Sequence, residues 1–223
     1  HNFKLPAGVI PDLGHVAHPQ PVGFEFLVAP VLQHDDLAAE CKGGHTQLPV
    51  LAQGRILPRD ADRHRDHGGL YYASPDGSKI VEAAYPLMSP NGVGLSPDEK
   101  TVYVADTFTG RLLAFDLSGP GEIAQTPLPL PGRVVGSLPG YQFLDSLAVE
   151  ETGAVCVATL LNGGVTTFTS DGAVEHTPLP DLFPTNICFG GKDRRDAYVT
   201  LSGTGRLAKL RWPRPGLALN FAA

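Results

Sequence analysis

The sequence predicts an all-β protein assembled from β-propeller blades, and three observations carry that expectation. Glycine and proline are abundant, 26 and 21 of 223 residues, which suits many short strands joined by tight turns. From residue 69 onward, short runs of β-branched and aromatic residues alternate with Pro-Asp-Gly, Asn-Gly and Thr-Gly turns. One strand-turn-strand pattern is then written three times with nearly constant internal spacing.

The clearest copy runs from Pro90 to Leu117. Asn91-Gly92 reads as a turn and Val93 to Leu95 as a short strand. Ser96 to Lys100 is a polar hairpin loop, Thr101 to Ala105 a second strand, Thr109-Gly110 a turn and Arg111 to Leu117 a third strand. The second copy spans Leu144 to Gly172 and the third Pro184 to Trp212. Asn91, Asp145 and Asn186 each stand before a first strand. The second strands then begin at Val102, Val155 and Ala197, an equal distance on to within one position. The turn glycines Gly110, Gly163 and Gly205 keep the same near-constant spacing, and one residue fewer in the middle hairpin explains both shortfalls. A repeat of about 40 to 55 residues with three or four short strands is the signature of a propeller blade, whereas a sandwich does not predict this recurrence. A further hairpin is expected at residues 69 to 87 and an additional strand at Ala173 to Leu179, with Gly119 to Gly140 as a Pro/Gly-rich connector. By length, residues 69 to 223 hold about three and a half blades, so the propeller reads as incomplete.

Residues 1 to 68 are expected to be a divergent or non-native segment. Seven of the eight histidines lie there, while all six tyrosines and the single tryptophan come later. Leu37 to Cys41 reads as a turn of helix. His34-Asp35-Asp36 and the group of His64, Asp66 and His67 carry metal-capable side chains, but with no periodic scaffold to converge them the expected reading is solvated loop.

Composition narrows the function classes. Net charge is −6 with both signs interspersed, so there is no basic footprint for nucleic acid. No apolar run approaches the roughly 18 residues that span a bilayer. The three cysteines, Cys41, Cys156 and Cys188, have no metal spacing, and the two in strand contexts are expected to be buried free thiols. With no signal peptide visible, the expectation is a cytoplasmic protein.

The repeat gives the chemistry a place. The innermost strand of each blade lines the propeller channel, so polar residues at the start of three such strands converge at one mouth. Taken singly, Asn91 in Pro-Asn-Gly is an ordinary turn former and Asp145 a strand cap. Three in register argue for more, and amide and carboxylate oxygens are hard ligands suited to Ca²⁺, Mg²⁺ or Mn²⁺. Asp98, Asp171 and Asp193 fall in the intervening loops and read as turn residues. No G-x-S-x-G occurs, and the lone late histidine, His176, falls on an outer strand.

PNGVGLSPDEKTVYVADTFTGRLLAFD, LDSLAVEETGAVCVATLLNGGV and PTNICFGGKDRRDAYVTLSGTGRL together resemble the C-terminal part of the gluconolactonase/senescence-marker-protein/luciferin-regenerating-enzyme family. The resemblance implies a six-bladed propeller with one divalent metal in the channel, most commonly Ca²⁺ with Zn²⁺, Mn²⁺ or Mg²⁺ as alternatives. It implies hydrolysis of a small-molecule lactone, sugar lactones such as gluconolactone among them. Asn91 matches the family's ligand asparagine, and Asp145 the ligand aspartate that is also general base or nucleophile. Ser146 follows it as in some members, and Asn186 lies in a channel-lining segment. The family's Glu-Gly-Pro and Pro-Asn-Asp ligand motifs do not occur here. That carries the alternative expectation: a truncated, catalytically inactive propeller serving as a binding or scaffold module. An incomplete ring also leaves blade edges unpaired, which offers a homodimer interface.

Overall fold

The structure is a computed structural model that describes residues 25–27, 50–53, 68–74, 78–126 and 132–219. The described residues form sixteen strands and no helix, hence no helix long and apolar enough to cross a membrane.

Four antiparallel sheets succeed one another. The first holds β2 (Val50–Gln53), β3 (Gly68–Ala73) and β4 (Ile80–Leu87). The second holds β5 (Pro90–Leu95), β6 (Thr101–Asp106) and β7 (Arg111–Gly119), with β8 (Glu122–Ile123) and β9 (Arg133–Ser137) both paired to β7. The third holds β10 (Phe143–Val149), β11 (Val155–Leu160), β12 (Gly164–Phe168) and β13 (Val174–Pro178). The fourth holds β14 (Pro184–Gly190), β15 (Asp196–Leu201) and β16 (Arg206–Arg211), and β1 (Glu25–Leu27) adds its outer strand. The inner strands β2, β5, β10 and β14 neighbour one another in that order, which is the blade succession of a propeller.

The middle strands explain why the repeat was legible. On β6, Val102 and Val104 pack toward the first blade, while Tyr103 and Ala105 pack toward the third. On β11, Val155 and Val157 face the second blade and Cys156 the fourth. Both faces of these strands are covered, so they read as continuous apolar runs instead of alternating ones. The hydrophobic core is therefore three slabs between four sheets, and no slab exists without two blades.

Several expectations change on contact with the fold. The hairpin at 69 to 87 is β3–β4, and β13 is the strand expected from Ala173. The connector is not featureless: it carries β8 and β9, which are too short and too close to proline to show a period. Both β1 and β2 come from residues 1 to 68, and each pairs in register with a recognisable blade. Cys156 is a buried free thiol as expected, but Cys188 is only half-buried. The histidine-rich groups at 34–36 and 64–67, the expected helical turn at 37–41 and Cys41 lie outside the described residues.

Turn chemistry follows the expected residues. Asp98 accepts from Ser96 Oγ at 2.6 Å and the Lys100 N–H at 3.2 Å, and these bonds hold its carboxyl below the usual range. Asp171 accepts from Thr169 and the Ala173 N–H, and Asp193 from the Arg195 N–H, so all three are Asx-type turn residues.

One buried carboxylate ties the third blade to the fourth. Glu150, at 0% exposure, accepts from Trp212 Nε1 at 2.7 Å, Thr152 Oγ1 at 3.1 Å and Cys156 Sγ at 3.3 Å, and is ion-paired with Arg214. Arg214 also reaches Glu175 at 2.6 Å. Burial pushes the Glu150 carboxyl up, but the bonds from Arg214, Trp212 and Cys156 outweigh it and hold the group below its ordinary value. Burial pushes the Cys156 thiol well up, and the adjacent Glu150 carboxylate adds to that effect.

Candidate functional site

Each inner strand of the last three blades carries one extra residue near its start. On β5, Pro90 pairs with Asp106 and Val93 with Val104, so Asn91-Gly92 stand opposite a single partner position. On β10, Leu144 pairs with Thr159 and Leu147 with Val157, leaving Asp145-Ser146 opposite one residue. On β14, Pro184 pairs with Leu201 and Asn186 with Thr200, so the extra residue is Thr185. A β-bulge bends the strand and re-aims the side chains it carries, and it recurs beside active sites. Asn91, Asp145 and Asn186 thus lie within the inner strands, at bulges, and not ahead of them as the sequence predicts.

The register also moves Asn186 by one place. Asn91 and Asp145 occupy the first position of their bulges, and the matching residue on β14 is Thr185. Asn186 falls with Gly92 and Ser146 in the second position. The spacing to the second strand hides this, because the paired arm of β14 after its bulge runs four residues, Ile187 to Gly190, where β5 and β10 have three, and the longer arm compensates for the offset. Thr185 Oγ1 lies 2.9 Å from Thr200 Oγ1.

Three details build the mouth. Asn91 is exposed, and its Nδ2 donates to Thr107 Oγ1 at 3.3 Å, which leaves Oδ1 as its unengaged acceptor in that bond. Gly92 meets the backbone of the next blade: a Cβ there would stand 2.6 Å from the Asp145 carbonyl oxygen and 2.7 Å from the Leu147 nitrogen. Only glycine allows that approach, so the two bulges are held together across the blade boundary. Asp145, Ser146 and Asn186 are each half-buried, reachable yet partly desolvated.

Carboxylates that the sequence gives no reason to single out support the turns beside this mouth. Asp106, 2% exposed, accepts from the Ser89 N–H at 3.1 Å, the Thr109 N–H at 3.3 Å and Thr109 Oγ1 at 3.0 Å. It therefore couples the β6–β7 turn to the residue two before Asn91. In the fourth blade the same turn position, Thr204, donates its N–H at 2.8 Å and its Oγ1 at 2.7 Å to Asp181, which enters from the segment ahead of β14. Two blades cap equivalent threonines with a carboxylate drawn from different elements, the end of β6 in one and the segment ahead of β14 in the other. The repeated Thr-Gly turns at 109–110 and 204–205 were the available signal, but only folding shows which aspartate serves each.

The donors at the bulges are all oxygens, with Asp145 the one carboxylate among them. That set is chemically suited to a hard divalent cation as part of a coordination sphere. Among the described residues, no three His, Cys, Asp or Glu side chains cluster to hold a metal by themselves.

Comparison with known proteins gives the chain's relatives. A family model for the SMP-30/gluconolactonase/LRE-like region matches residues 54–203. The lactonase drp35 of Staphylococcus saprophyticus is 34% identical over 106 residues, covering 48% of this chain and 32% of that protein. The 6-deoxy-6-sulfogluconolactonase of Pseudomonas putida is 30% identical over 158 residues, covering 69% of this chain and 52% of that protein. Among solved structures, a gluconolactonase from Xanthomonas campestris matches with TM-score 0.55 and 29% identity over 70% of this chain and 48% of its own. A luciferin-regenerating enzyme matches with TM-score 0.56 and 19% identity over 69% of this chain and 55% of its own, a likeness of fold. The chain thus spans about half or less of the lengths of these curated relatives.

Proposed function

Because the chain belongs to the SMP-30/gluconolactonase/LRE-like family, we propose that the bulged mouth of its inner strands hydrolyses a lactone. The observation that carries this reading is the pairing of the Asn91 and Asp145 bulges through Gly92, which holds an amide oxygen and a carboxylate at the same end of adjacent blades. The names of the relatives, lactonase and sulfogluconolactonase, support the substrate class.

In this reading Asn91 and Asp145 would hold a divalent cation, most suitably Ca²⁺, which would supply Lewis-acid polarisation of the ester carbonyl when bound. Asp145 takes the proton of the attacking water as the water oxygen bonds to the carbonyl carbon. The bond from the acyl carbon to the ring oxygen then breaks, and that oxygen recovers the proton, giving the open hydroxy acid. Ser146 and Asn186, at second bulge positions, orient the lactone. The half-burial of Asp145 suits a base that must meet substrate without full solvation.

The test is Asp145→Ala, read by lactone hydrolysis and by Ca²⁺ calorimetry on the intact chain. Loss of turnover and of stoichiometric Ca²⁺ binding, with an unchanged β-sheet circular dichroism spectrum, is the expected result. Turnover that survives the substitution removes Asp145 from the mechanism.

A further inference from the structure

The mouth has an apolar rim that hydrolysis of a polyhydroxylated lactone does not use. Phe108, in the β6–β7 turn, is 71% exposed and packs edge-on against Phe143 with ring centroids 6.0 Å apart. Phe108 follows Thr107, the hydrogen-bond partner of Asn91, and Phe143 lies two residues before Asp145. The pair therefore bridges the second and third blades directly beside both bulges.

The third and fourth blades repeat the arrangement. Leu161 occupies the turn position equivalent to Phe108, is 41% exposed, and donates its N–H to the Leu182 carbonyl at 2.7 Å. Leu182 and Phe183, 60% and 40% exposed, lead into the β14 bulge. Leu161 has φ of +69°, a left-handed conformation that disfavours a bulky side chain and that Asn or Gly adopts more cheaply. An exposed leucine there has neither burial nor backbone preference to account for it. A ligand contact would account for it.

We infer that the mouth takes lactones carrying an apolar substituent, an alkyl or aryl chain lying across Phe108, Phe143, Leu161 and Phe183 while the ring carbonyl sits at Asp145. This rests on the lactone-hydrolase reading and specifies its substrate class. The rim's continuity with the bulges argues for a substrate chain over a separate partner: Phe108 follows the Thr107 that bonds Asn91, Phe143 lies two residues before Asp145, and Phe183 lies two before Thr185, in consecutive blades.

The experiment compares kcat/KM of the intact chain for δ-decalactone and for glucono-δ-lactone, in wild type, Phe108→Ser and Leu161→Asn. Asparagine suits the left-handed turn, so the second variant keeps the fold while removing the apolar surface. The expected result is a preference for the alkyl lactone, narrowed about tenfold in either variant through KM. A preference for the polyhydroxylated lactone, or a ratio that neither variant moves, overturns the inference. Calorimetric binding of the non-hydrolysable lactam analogue of δ-decalactone separates the two readings. Binding that weakens in both variants, with no lactone hydrolysed, keeps the rim assignment and removes the hydrolase. No lactam binding removes the rim. A wild-type dimer that Phe108→Ser dissociates makes the rim a self-interface and also overturns the inference.

Discussion

Gly92 and Asp145 are in backbone contact across a blade boundary, close enough that a methyl group on residue 92 would stand 2.6 Å from the Asp145 carbonyl oxygen. The obstacle is backbone on the far side, from the Asp145 carbonyl to the Leu147 nitrogen, so no side-chain rotation relieves it. Gly92→Ala should therefore cost about 1–3 kcal/mol, the usual range for overpacking. Urea unfolding of wild type and variant measures the cost. Because the blades must separate, lactone turnover should fall more than stability alone explains.

Asp106 gathers three donors, from Ser89 and Thr109, at a buried position. Replacing it with alanine leaves those groups without their acceptor, a penalty of roughly 2 kcal/mol. Asp106→Asn keeps one acceptor oxygen and should recover part of that loss. Thermal denaturation of the two variants should rank alanine lowest, asparagine between it and wild type.

The Glu150–Arg214 pair makes a pH prediction. The folded-state carboxyl of Glu150 is held below its unfolded value, so its contribution is fully present above the unfolded pKa of about 4.3. It is lost as pH falls through the folded value, because the unfolded chain takes up the proton first. Stability measured by denaturant midpoint should decline below about pH 4.3, and Glu150→Gln should flatten that part of the decline. At neutral pH, Arg214→Ala should cost about 3 kcal/mol, since it strands a buried charge.

Leu161 offers a test in the opposite direction. Its φ of +69° is strained for a branched side chain, and asparagine tolerates that region. Leu161→Asn should leave stability unchanged or raise it by about 0.5–1 kcal/mol. A larger shift downward would show that the leucine side chain has a packing role.

Much of this was legible in the residues. The recurring distance from Asn91, Asp145 and Asn186 to a middle strand and then to a glycine marked the blades, and the apolar runs marked strands covered on both faces. The outer strand β9 was not legible, because a short strand with Gly136 inside it and prolines before it has too few positions to show a period. Nor were β1 and β2 in the N-terminal segment, whose pairing is set by the blade edges they meet. The offset at Asn186 escaped for a different reason. The paired arm of β14 beyond its bulge is one residue longer than in the other blades, and spacing alone does not separate a longer arm from a shifted bulge.

By itself, then, the sequence determined the blade repeat, the propeller class and the place of Asn91 and Asp145 at the starts of inner strands, because strand periodicity and turn chemistry are local and show in any one repeat. Tertiary structure decided which residues share a bulge position, that Gly92 locks Asn91 beside Asp145, and that Phe108 and Leu161 form a rim beside them. Those relationships join separate blades, far apart in the chain, and they exist only once each inner strand has packed against the next.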